Sequence, residues 1–157
     1  MTMLYRSKIE DVLQQLEKDI ITPKFAGIKH TAVVALEILA DEDKLKNIEA
    51  WELREICLEP LQLALESRAR KLGHTALAGI QSMFKDERFR SSMETSDEDK
   101  WLPSQVLTVL AGAHSLAEDL QIEVMKLLLN MTVTASWCTS AKTIIKIAQE
   151  GLNKTEM

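Results

Sequence analysis

Aromatic side chains make up only 4% of this 157-residue sequence, which holds just five glycines, three prolines and two cysteines. Leucine, alanine, isoleucine, glutamate and lysine abound instead, a mixture that favours helix over sheet. Cys57 and Cys138 lie far apart among helical apolar residues and read as buried reduced thiols rather than a disulfide or a metal pair. No run of about eighteen apolar residues occurs, so neither a transmembrane span nor direct membrane insertion is expected. The opening MTMLYRSKIEDVLQQ is charged from early on and lacks the apolar core of a secretory signal, which points to a cytoplasmic chain. A basic excess is missing too: the net charge of -5 and pI near 5.3 argue against a nucleic-acid partner.

What is present suits one soluble domain spanning 1–157, with 46% hydrophobic and 27% charged residues. Apolar residues recur at three- and four-residue steps, the spacing of one face of a helix. That periodicity predicts helices over Met3 to Ile20, Pro23 to Ala40, Ile48 or Trp51 to Ser67, Arg70 to Lys85, Leu102 to Ala113, Ala117 to Val133 and Ala141 to Leu152. Asp41 to Lys44 is expected to end its helix and lead into a loop, and Pro60 to kink or divide its own helix. Residues 86–100 are polar, acidic and without period, and are expected to form a mobile loop. The helix after Ala117, with Leu120, Val124, Met125, Leu127, Leu128 and Met131, is apolar enough to be the central buried one.

The second helices of successive pairs carry apolar frames in like phase. Ile28, Ala32, Val33 and Leu36 repeat as Leu72, Ala76, Leu77 and Ile80 after 44 residues, and again as Leu120, Val124, Met125 and Leu128 after 48. These offsets sit close to the roughly 40–47-residue period of HEAT and armadillo repeats. The fold expected is therefore all-α, a HEAT/armadillo-like α-solenoid of about seven helices in antiparallel pairs.

Catalytic signals are absent. His30, His74 and His114 have no second His or Cys one helical turn away, and no phosphate-binding, nucleophile-elbow or HExxH motif occurs. No catalytic, cofactor-binding or metal-binding residue is assigned, and no cofactor is expected. The chain reads as a binding module. Arg68, Arg70 and Lys71 cluster at the elbow between two helices, where they either cap carbonyls or meet an acidic partner. Trp51, Trp101 and Trp137 stand at helix boundaries, placed to seal the core or to contact a partner. Ser96 opens Ser-Asp-Glu-Asp, an acidophilic-kinase pattern and a candidate phosphosite.

The stretch CLEPLQLALESRARKLGHTALAGIQSMF, together with DLQIEVMKLLLNMTVT from Asp119 to Thr134, resembles the N-terminal dimerisation and cyclophilin-binding (DCB) domain of the large Golgi Arf guanine-nucleotide exchange factors. The likeness extends to SMETSDEDK, Ser92 to Lys100, which has no packing reason to recur, and runs from about Ile9 to Ala148. It implies a non-catalytic regulatory scaffold in vesicle traffic, since that family's exchange domain lies far downstream. It also implies self-association or packing on a following homology domain, a possible Arf-like GTPase partner, and a peripheral place at Golgi membranes. The family's domain continues beyond the point where GLNKTEM turns polar, so the resemblance implies a chain truncated at its C-terminal end. A stand-alone solenoid adaptor, holding a linear peptide in its concave groove, is the alternative.

Overall fold

The computed structural model describes residues 8–20, 23–84, 86, 89, 97, 100–111 and 117–133, and seven α-helices lie among them, all but the short third one carrying the apolar periodicity. The first, α1 (Lys8–Asp19), buries Ile9, Val12, Leu13 and Leu16. Glu10 and Asp11 in its first turn and Lys18 in its last complement the helix dipole. Pro23 opens a 3-10 turn (Pro23–Phe25) rather than the next helix, and α2 (Ala26–Leu39) begins three residues later.

The charged stretch expected to lead into a loop instead opens a short helix, α3 (Glu42–Asn47). Asp41 caps it, its carboxylate accepting from the backbone N–H groups of Asp43 and Lys44 at 3.0 and 3.2 Å. Acidic residues fill its first turn and lysines its last. Cap and dipole hold this helix, and it buries no residue, so an apolar-stripe criterion misses it.

Next comes α4 (Ala50–Glu66), which runs as one helix through the buried Pro60. Pro60 has no N–H to offer the preceding turn, yet α4 is packed against α2, against α5 (Arg70–Met83) and against α6 (Leu102–Leu110). Packing on three sides outweighs one missing backbone bond. The helix ends at the elbow, where Arg68 adopts a left-handed φ of 62°. There the Ser67 hydroxyl donates to the Ala64 carbonyl at 2.6 Å and accepts from the Ala69 N–H at 3.2 Å. A non-glycine residue thus fills the left-handed position that closes many helices.

The last described helix, α7 (Glu118–Val133), packs on α5. Contacts run α1 to α2, α2 to α4, α4 to α5 and α5 back to α1, so four helices close a ring. Helices α6 and α7 extend it from α4 and α5, giving one layer of α2, α4 and α6 and another of α1, α5 and α7. The all-α reading holds. Among the described helices two details differ from expectation: α4 and α5, rather than α7, each pack against three others, and α2 lies in the opposite layer from α5 and α7 although all three share an apolar frame. A frame fixes which face of a helix is buried, whereas its layer depends on which neighbour covers it.

Close approach inside the ring depends on glycine. A Cβ on Gly79 would stand 2.8 Å from Val12 Cγ1 and 3.1 Å from a Leu61 methyl, whereas one on Gly73 would meet Leu120 Cδ1 at 2.8 Å. Valine is stiff at that carbon, while the end of a leucine can swing away. Gly79→Ala is therefore expected to lose about 1–2 kcal/mol despite the better helix propensity of alanine, and Gly73→Ala to stay within about 0.5 kcal/mol of wild type. Urea midpoints of the two variants check this.

Candidate functional site

The basic elbow leads into the first turns of α5, whose side chains reach two neighbouring helices. Arg70 and His74, one turn apart, converge on a single oxygen of Asp119 in the first turn of α7: Arg70 Nε lies at 2.9 Å, Arg70 Nη2 at 2.8 Å and His74 Nε2 at 2.8 Å. An ionised carboxylate can only accept, so His74 carries a proton on Nε2. Lys71 points the other way, its Nζ 3.3 Å from Asp19 Oδ1 at the end of α1. Gln15 donates to the same Asp19 oxygen at 2.8 Å. Arg70 and Lys71 thus tie α5 to α7 and to α1 rather than capping the carbonyls of α4. Their side chains remain 69% and 76% exposed. Arg68, also exposed, stands beside them.

The hydrogen bond from His74 holds the Asp119 carboxyl below the usual carboxylate range; partial desolvation pushes the other way, and the Arg70 hydrogen bond and charge add to the lowering. A lowered folded-state pKa contributes stability that is fully present above the unfolded-state value near pH 4 and is lost as pH falls through the folded-state value. Asp119→Asn should therefore flatten the acid limb of a stability–pH profile below about pH 4 and leave its slope unchanged above about pH 5. Urea melts across that range read the difference.

A second polar constellation sits inside the fold. Arg54 is fully buried in α4. Its Nε donates to Gln105 Oε1 at 2.8 Å, Nη1 to the Phe89 carbonyl at 2.7 Å and Nη2 to the Lys100 carbonyl at 2.9 Å. Gln105 Nε2 in turn donates to the Trp51 carbonyl at 2.9 Å. One guanidinium thereby fixes two backbone positions of the 86–100 segment against α4 and α6, with Phe89 buried completely. Lys100 Nζ stands 4.1 Å over the Trp51 ring, a cation–π contact. Trp101 is half-buried at the N-cap of α6. Trp137 and Ser96 lie outside the described residues, as do His114 and the helix expected from Ala141.

Sequence reasoning passed over Arg54 and Gln105. A signal for Arg54 was present: it stands three residues before Cys57, four before Leu58 and seven before Leu61, within the buried stripe of α4. A charge in such a stripe calls for a hydrogen-bonded network around it.

Of the surface grooves, one of about 740 Å³ lies where α1 meets α2, lined by Gln14, Glu17, Lys18, Ile20, Pro23, Ala26 and Lys29. Another, of about 640 Å³, lies between the end of α2 and α3 and is bordered by Glu37, Asp41, Glu42 and Asp43. Neither includes His74 or Asp119. Among the described residues no group of three or more His, Cys, Asp or Glu side chains is placed to hold a metal ion. None of the described helices is long and apolar enough to cross a membrane.

A family model described as DCB, the Mon2/Sec7/BIG1-like dimerisation and cyclophilin-binding domain, matches residues 4–149. The chain belongs to the DCB family. It is 43% identical over 141 residues to brefeldin A-inhibited guanine nucleotide-exchange protein 3 of Homo sapiens, and equally so to the Mus musculus protein of that name. Each alignment covers 90% of this chain and 6% of the relative, so this DCB chain spans a small part of the length of the proteins it matches. No solved structure matches it. The DCB match contains both described constellations, the elbow cluster and the Arg54 network, along with the sequence stretches that first suggested the family.

Proposed function

We propose that this chain is a non-catalytic DCB scaffold that works by self-association and protein binding in Golgi and vesicle traffic. It would act alongside, or as part of, an Arf guanine-nucleotide exchange factor-like protein, at a cytoplasmic site peripheral to the membrane. The family match over residues 4–149 carries this reading. The elbow adds support: Arg68 is exposed, and Arg70 and Lys71 keep most of their surface in solvent even where they pair within the chain, leaving room for an acidic partner. Trp101, half-buried at the head of α6, is a second candidate contact.

The test is light scattering on the purified chain at tens of micromolar, followed by binding to GTP-loaded Arf-like proteins. A dimer or larger species supports the reading. A strict monomer that ignores every such GTPase counts against it. Should a GTPase bind, Arg68→Glu is expected to weaken it without touching either inter-helix tie.

A further inference from the structure

Among the described residues Arg68 alone enters the left-handed backbone region without being glycine. A Cβ there brings steric strain that glycine avoids, so the geometry of the elbow by itself would call for glycine. What stands there instead is an exposed guanidinium, and among the described residues no side chain pairs with it. A charged group strained into place yet idle within the fold points outward.

Arg70 and Lys71 are already paired, and their pairs differ in what release would cost. Asp19 is 12% exposed and its Oδ2 is buried without a hydrogen-bond partner, so losing Lys71 would leave that carboxylate to Gln15 alone. Asp119 is 35% exposed and would keep His74, whose bond does more than Arg70 to hold the carboxyl ionised. Arg70 is the cation that can leave.

We infer that the elbow takes an acidic peptide segment by charge exchange: one carboxylate settles on Arg68, the next draws Arg70 off Asp119, and Lys71 stays on Asp19. The inference rests on the reading of the elbow as an acidic-partner surface and adds which cation moves and what its movement does. Arg70 is one of the ties between α5 and α7, so the bound segment loosens the start of α7, and by linkage whatever loosens that tie strengthens the binding. Exposed Glu66, just before the elbow, and exposed Glu118, beside Asp119, set the class of partner. A flat anionic bilayer brought onto Arg68 would meet these carboxylates as well, whereas a single extended chain touches only the side chains it lies on.

Fluorescence anisotropy of labelled hexaglutamate on the full chain, at low and at physiological salt, tests this. Wild type is expected to bind, and more weakly at the higher salt. Arg68→Gly should weaken binding at least about threefold while the thermal midpoint holds or rises, since glycine suits the left-handed position. Asp119→Asn should tighten binding about two- to fivefold, because the carboxylate that competes for Arg70 is gone. In hydrogen exchange, hexaglutamate should speed the amides in the N-terminal half of α7 in wild type and not in Asp119→Asn. Binding to Asp119→Asn that is weaker than wild type or unchanged overturns the exchange and leaves the elbow surface standing. Hexaglutamate that ignores wild type, or binds Arg68→Gly equally well, overturns the surface itself, while self-association is judged separately by light scattering. Phosphatidylserine vesicles bound more tightly than the peptide overturn the class of partner.

Discussion

Arg54→Met is expected to lower the unfolding free energy by about 3–5 kcal/mol, the range for stripping a buried charged group from its partners. Methionine fills much of the same space but donates nothing. The buried Phe89 carbonyl and Gln105 Oε1 and the part-buried Lys100 carbonyl then each lose a donor. The Phe89 and Lys100 ends of the 86–100 segment are released together, because one side chain holds both. Arg54→Lys should recover only part of the loss, since a single ammonium cannot present the three-way fork of a guanidinium. Urea unfolding followed by circular dichroism measures the effect as a lower midpoint at unchanged slope. A variant within about 0.5 kcal/mol of wild type would mean that the network contributes no net stability. Pairing Arg54→Met with Gln105→Met should cost less than the two single changes summed, because the second removes an acceptor that the first has already orphaned.

Leu61→Arg is expected to unfold the domain outright. Leu61 is fully buried in α4, and its methyl groups stand against Gly79 of α5, where even a Cβ would crowd Val12 and Leu61. A guanidinium there finds neither space nor a partner, and burying it unpaired costs several kcal/mol against a typical net stability of roughly 5–15. Core charges nearer the margin should do less harm. Leu65 lies at the end of α4 with 5% exposure, and Leu128 on α7, whose far side meets solvent, so a long side chain at either place has a route for its head to reach water. The expected order of damage is Leu61→Arg, then Leu65→Arg, then Leu128→Arg, read as residual helicity and cooperativity of melting. Full helicity and a cooperative melt for Leu61→Arg would mean that the α4–α5 contact is not the heart of the core.

Much of this architecture was legible in the chain. The stripes of α1, α4 and α5 announce themselves by period, and their apolar positions are the buried ones because no other face of those helices can supply a core. What stayed hidden has definite causes. Helix α3 depends on a cap and a charge gradient, which a search for apolar stripes does not weigh. The arrangement of layers escaped because α2 and α5 carry the same frame yet face different neighbours, and periodicity does not encode partners. The meeting of Asp119 with His74 and Arg70 spans more than forty residues and follows only from how α7 docks on α5. Arg54 was passed over for a different reason: its position says buried, its charge says exposed, and only three-dimensional hydrogen bonding reconciles the two.

The closed ring of α1, α2, α4 and α5 implies a hierarchy of opening. Each of its members is held by two ring neighbours, so none can detach without breaking two interfaces, whereas α6 and α7 dock on the ring mainly through α4 and α5. Amide protons of α4 and α5 should accordingly exchange only through global unfolding, and those on the solvent side of α7 through smaller excursions. Either outer helix can open while the ring stays closed.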